Sequence, residues 1–288
     1  MIIKNNKLTV MIKEKGAELS SIVDNNNIEY IWSGDPTYWK YQAPILFPNI
    51  GHMKDNEYIF DGNTYQMPPH GFAREYIFDI TEQTSSSVIF TLKSPANTKK
   101  LYPFEFVLNV IYILDENTLI IKYIVENLDT KNMGFKIGGH PGINCPILKD
   151  ENFDDYKITF NKDENVKTYH CSKKGPCVQD EVGFIGNTLK ISHELFHERV
   201  IIFENLKSTT MTLESDKNNY KIEFDISNFP FVALWSPDAP FICFEPWFGH
   251  SDFEWDSKEL MEKSTITKLS PNKKFECVYK ININNQEV

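Results

Sequence analysis

Apolar and polar residues alternate along most of this chain in short runs, and few windows sustain the 3.6-residue period of an amphipathic helix. The segments TLIIKYIVEN from Thr118 and NYKIEFDI from Asn219 alternate with period two, which sets one face on a core and turns the other outward. Runs rich in Ile, Val, Phe, Tyr and Thr predict strands at Leu8–Ile12, Ile28–Trp32, Ser87–Leu92, Phe106–Ile113, Thr118–Val125, Lys157–Phe160, Arg199–Phe203, Thr209–Leu213, Tyr220–Phe224, Phe231–Trp235 and Phe275–Ile283. Clusters of Asn, Asp, Gly and Pro separate them. Short helices are expected at Pro36–Tyr41, Ser192–Glu198 and Ser257–Lys263. So many short strands predict an all-β chain, antiparallel and folded as a multi-sheet sandwich. No linker, low-complexity stretch or internal repeat divides it, so residues 1–288 are expected to form one unit. The loosest region, Cys145–Gly186 around CSKKGPC, reads as an elaborated loop over a sheet edge.

Composition narrows the function classes. Aromatics reach 14% of the chain, which favours broad sheets and leaves rings available for a binding face. Forty acidic against 30 basic residues give a formal charge of −10, so no basic stripe exists to track phosphates and neither nucleic acid nor an anionic membrane is an expected partner. The N-terminal residues carry charges inside every apolar run, and no stretch approaches a membrane span, which together predict a soluble cytoplasmic protein. Cys145, Cys171, Cys177, Cys243 and Cys277 are odd in number and loosely spaced, and read as free thiols.

His193-Glu194-Leu195-Phe196-His197 matches a zinc-peptidase pattern in form. A strand is expected from Arg199 onward, which leaves too little helix to hold both imidazoles on one metal, so it reads as a surface turn and no metal site is expected. Glycine-rich nucleotide loops and the GxSxG elbow are absent. Three other segments carry more chemistry. In MPPHGFAR, two prolines stiffen the approach to His70 and Arg74; His70 is either a cleft donor or a histidine bonded within a turn. In IGGHPGIN, paired glycines and a Pro-Gly break hold His140 at a strand end, where an acid or base has a fixed orientation. In FICFEPWFG, Glu245 lies in an aromatic run where burial would raise its proton affinity, and Trp247, with Trp235, could offer flat faces to a sugar ring.

Together with APILFPNIG at 43–51 and the late Lys263–Leu269 segment before Ser270-Pro271, these motifs resemble the aldose 1-epimerase (galactose mutarotase) superfamily, in the branch of LacX-like proteins and glucose-6-phosphate 1-epimerases. The resemblance covers almost the whole chain. It implies a large galactose-mutarotase-like β-sandwich, an open cleft on one sheet, no required cofactor and a small sugar as partner. It also implies that Glu245 is the general base, His140 the general acid, His70 a second sugar-bonding histidine and Arg74 a ligand contact of the sugar-phosphate branch. The reaction expected is interconversion of the α and β anomers of a free aldose, with a hexose-6-phosphate epimerase or a non-catalytic sugar binder as alternatives. One departure is visible: His52 stands where relatives commonly carry arginine, which weakens the case for a phosphorylated substrate. The family's sugar-site aspartate has Asp225 as its candidate here. Monomer and homodimer both fit this composition.

Overall fold

Period-two alternation becomes two large antiparallel sheets. The structure, a computed structural model, describes residues 1–172, 177–180, 183–197 and 199–285. Among these, nine strands form one sheet in the order Phe184–Lys190, Tyr156–Val166, Thr210–Ser215, Tyr220–Asp225, Lys274–Asn285, Thr118–Asn127, Phe106–Asp115, Ser87–Lys93 and Asp79–Gln83. The second sheet runs Cys177–Gln179, Thr168–Ser172, Arg199–Glu204, Phe231–Trp235, Phe241–Phe248, Ile137–Gly139 and Ile45–Leu46, with Gly142–Asn144 also paired to Phe241–Phe248.

Alternation then decides which side chains meet. In Phe241–Phe248 the even residues Ile242 and Phe244 enter the main core. Phe244 stacks on Phe224 of the nine-stranded sheet, centroids 4.6 Å apart and planes 3° from parallel, a contact worth about 0.5–1.5 kcal/mol beyond the area it buries. The odd residues Phe241, Cys243, Glu245 and Trp247 face the other way, beside Trp235, Ala233 and Ile202 of neighbouring strands. That outward face of the smaller sheet carries the site.

Most expected strands are present with ends moved by a residue or a few, and Lys157–Phe160 lengthens to Tyr156–Val166. Ile28–Trp32 is not a strand but two isolated bridges, Val23 to Glu29 and Ile31 to Ile143. The Glu29 carboxylate accepts the backbone N–H groups of Ile22 and Ile31, a side-chain solution that competes with a regular ladder. Pro36–Tyr41 is a turn without helix, while the other two helices shrink to 3-10 turns at Glu194–Phe196 and Leu260–Glu262. Glu198 lies outside the described residues. Five free thiols were expected, but the structure joins Cys171 to Cys177, which sit opposite each other in antiparallel register with Cα atoms 4.2 Å apart. Cys145, Cys243 and Cys277 are free and buried. Among the described residues no helix is long and apolar enough to cross a membrane.

Candidate active site

One strand break builds the centre of the site. Ile137–Gly139 pairs with Phe241–Phe248 through Gly138 opposite Trp247, and Gly142–Asn144 pairs with the same strand through Gly142 opposite Cys243. The register is the same on both sides of the break, so His140 falls opposite Glu245. Pro141 interrupts the ladder there, and its carbonyl accepts the Phe244 N–H at 3.1 Å. Gly138 is required by packing: a Cβ would stand 2.5 Å from Cδ1 of Trp247.

The His140 Nε2 lies 3.1 Å from Oε2 of Glu245. Glu245 is fully buried, and neither of its oxygens meets a hydrogen-bond donor among the described residues. Burial therefore pushes its carboxyl well above the usual range. Burial also pushes the His140 imidazole down to about 3, with the Arg74 guanidinium adding to the effect. Trp39 lies against His140 with centroids 4.8 Å apart, and Trp235 meets the same ring edge-on at 5.7 Å.

His70 arrives from another segment. Its backbone is in the left-handed region at φ 64°, and the next residue, Gly71, is at φ 69°. A Cβ on Gly71 would come within 2.2 Å of the Phe47 carbonyl, so only glycine allows this close approach. The Gly51 N–H donates to His70 Nδ1 at 3.2 Å, which leaves Nε2 as the protonated nitrogen of the neutral ring. Burial holds that ring's pKa well below its ordinary value, aided by His140, Arg74 and His52.

These groups surround a cleft of about 280 Å³ whose walls include Trp39, His52, His70, His140, Trp235, Glu245, Trp247 and Ser251. That volume suits a small ligand, since small-molecule sites begin at roughly 300 Å³. The Trp247 indole N–H is buried without an acceptor among the described residues. A larger hollow of about 870 Å³ lies elsewhere, lined mainly by asparagines and two lysines, with no acid–base pair.

Residues 1–267 match the family described as aldose 1-epimerase. The chain belongs to that family. It is 35% identical over 284 residues to the chromosomal protein LacX of Lactococcus lactis subsp. lactis, covering 93% of this chain and 94% of that protein. A galactose mutarotase related enzyme from Lactobacillus acidophilus superposes with a TM-score of 0.93 at 31% identity, over 100% of this chain and 99% of that one. A galactose mutarotase-like protein from Lactobacillus casei gives 0.90 at 36% identity, over 99% of each chain. The family and these neighbours make the chain a sugar-epimerase-type isomerase with a galactose-mutarotase-like fold.

Of the residues expected at the site of this aldose 1-epimerase family member, Glu245, His140, His70, Trp235 and Trp247 all line the cleft. Arg74 stands just behind it. Its guanidinium donates to the Pro69 carbonyl at 3.0 Å and packs 4.7 Å over the Tyr41 ring, so it braces the turn that carries His70. Asp225 is not brought to the cleft. It ends a strand of the nine-stranded sheet, where its carboxylate accepts from Lys280 at 2.8 Å. His193 and His197 flank a single 3-10 turn; His193 stacks on Phe153 at 4.1 Å and its Nδ1 lies 3.8 Å from the exposed Asp238 carboxylate, and among the described residues no cluster of three candidate ligands includes either histidine.

Trp39, Ser251 and the lining role of His52 were not legible beforehand. Trp39 sat in a segment read as helix. His52 is held by three contacts: its N–H donates to Ser251 Oγ at 3.0 Å, its carbonyl accepts the Asp252 N–H at 2.9 Å, and its Nδ1 lies 3.0 Å from Asn56 Oδ1. Beneath that loop, the buried Asp252 carboxylate accepts from Lys136 at 3.0 Å and from Lys263 at 2.5 Å, and also takes the Lys54 N–H.

Proposed function

We propose that this family member interconverts the α and β anomers of a free aldose by acid–base opening and closing of the sugar ring. The observation that carries the reading is the buried His140–Glu245 pair at the floor of a tryptophan-lined cleft. Glu245 takes the proton of the anomeric hydroxyl while His140 gives a proton to the ring oxygen. The bond from C1 to the ring oxygen breaks, and C1 becomes an aldehyde. Rotation about C1–C2 presents the other carbonyl face, and the reverse transfers close the opposite anomer. Each proton returns to its origin, so proton transfer alone balances the reaction.

The electrostatics support a proton shared within the pair. Without sugar, burial favours the uncharged form, carboxylic acid beside imidazole. A sugar hydroxyl that donates to Glu245 supplies the bond that neither oxygen has, and so favours moving the proton to His140. That transfer creates the base and the acid together. His70 donates its Nε2–H to a sugar oxygen, and the faces of Trp39, Trp235 and Trp247 pack against the C–H side of the ring.

An uncharged sugar is favoured because His52 occupies the wall with its Nδ1 engaged by Asn56, leaving Nε2 free to accept a hydroxyl proton. Two cations favour a hexose-6-phosphate instead. Arg199 lines the cleft, with its Nε donating to the Leu195 carbonyl at 3.0 Å. Arg74 has no carboxylate partner among the described residues, and its Nε is buried without an acceptor. Polarimetry with fresh α-glucose, α-galactose and α-glucose-6-phosphate separates the readings: faster mutarotation of the free sugars supports the first, and acceleration confined to the phosphate supports the second. No acceleration of any of them would overturn both.

A further inference from the structure

Cys243 takes no part in ring opening, yet it lies under the cleft floor two residues from Glu245 on the same face of one strand. Its Sγ, a ring nitrogen of His140 and a carboxylate oxygen of Glu245 all lie within 4.8 Å of one another, and all three residues are buried. We propose that these three side chains form a site for one thiophilic divalent cation of the zinc type, and that its binding switches the epimerase off.

The donor set carries the argument. One imidazole nitrogen, one thiolate sulfur and one carboxylate oxygen are the ligands zinc prefers, and three protein ligands leave a fourth tetrahedral position open. His140 and Glu245 both line the cleft, so a metal they hold is reached from it. Ligand atoms of a tetrahedral zinc lie about 3.4 Å apart. His140 and Glu245 already stand at 3.1 Å, so small side-chain rotations bring the sulfur in. Among the described residues neither Glu245 oxygen has a hydrogen-bond donor, so a cation that displaces the carboxyl proton meets no competing partner there. Burial and Glu245 hold the Cys243 thiol in its protonated form until a metal displaces the proton. His70 does not join: with Nδ1 accepting from Gly51, its Nε2 carries the proton and offers no lone pair.

Zinc at this position occupies the lone pairs of both the acid and the base, so metal and sugar exclude each other. The inhibition rests on the proposed reaction, but the binding does not. Binding releases the thiol proton and the proton shared by His140 and Glu245, about two per zinc.

The test uses the tag-free full chain, titrated with zinc chloride by calorimetry and with cobalt chloride by absorbance, alongside Cys243→Ser and Cys243→Ala. The expected result is one zinc per chain, a thiolate-to-cobalt charge-transfer band, and sugar epimerisation that zinc abolishes and EDTA restores. Both variants should epimerise sugar in EDTA, lose the band and bind zinc at least tenfold more weakly. Equal zinc binding by wild type and both variants would overturn the proposal, because the metal would then sit on surface histidines such as His193 or His170. A missing charge-transfer band in the wild type would overturn it as well. If the band depends on Cys243 but no sugar is epimerised in EDTA, the metal site stands and the proposed reaction fails.

Discussion

His140, in the break between two short strands, stands opposite Glu245 with Nε2 3.1 Å from Oε2, and among the described residues no donor is bonded to the carboxylate. The two groups are perturbed in opposite directions, and stability follows. Glu245 is raised in the folded state, so its contribution is present below the ordinary carboxylate range and is lost as pH rises through the raised value. His140 is lowered to about 3, so its contribution is present above the ordinary imidazole range and is lost as pH falls toward that value. Glu245→Gln should therefore gain stability over wild type as pH rises, by about 1–3 kcal/mol. His140→Asn should gain as pH falls below the imidazole range. Thermal unfolding of the three proteins from acid to mildly alkaline pH checks both, and parallel curves would contradict the shared-proton account.

Gly71 lets the chain pass the Phe47 carbonyl while presenting His70. With φ 69° and a Cβ contact of 2.2 Å, Gly71→Ala should destabilise the protein by about 1–3 kcal/mol and displace His70. A fall in denaturation midpoint accompanied by a lower kcat is the expected pair of results. An unchanged kcat would show that His70 does not need this turn.

Trp39 packs on His140 and closes one wall of the cleft. Trp39→Ala should weaken sugar binding by about 0.5–1.5 kcal/mol, seen mainly in KM. A change confined to kcat would instead assign Trp39 to orienting the imidazole.

His52 offers an acceptor where an arginine would offer only donors. His52→Arg should raise kcat/KM for glucose-6-phosphate roughly tenfold and lower it for free glucose, in line with about 1.5–3 kcal/mol for a hydrogen bond to a charged group. Steady-state kinetics on both sugars decide it. An equal loss on both would mean the added side chain simply blocks the cleft.

The strands were legible because period-two alternation is a local property, and so were the motifs that hold His70, His140 and Glu245. That His140 and Glu245 face one another was not legible, because it depends on register across a strand break at Pro141. Asp225 was misplaced for a related reason: a strand end looks the same in either sheet, and only pairing with Lys274–Asn285 puts it beside Lys280. Trp39 gave no local signal, since a turn bound by tertiary contacts carries no period. The Cys171–Cys177 link was missed because spacing alone does not reveal that the two residues are directly paired.

In the proposed reaction Glu245 and His140 act as base and acid on an anomeric carbon. Saturation-transfer NMR between the α and β anomers of glucose and galactose tests it most directly, with wild type, Glu245→Gln and His140→Asn compared at equal concentration. Rapid exchange is expected with wild type, and a loss of about 10²–10⁴-fold in each folded variant. Exchange by either variant at the wild-type rate would contradict it.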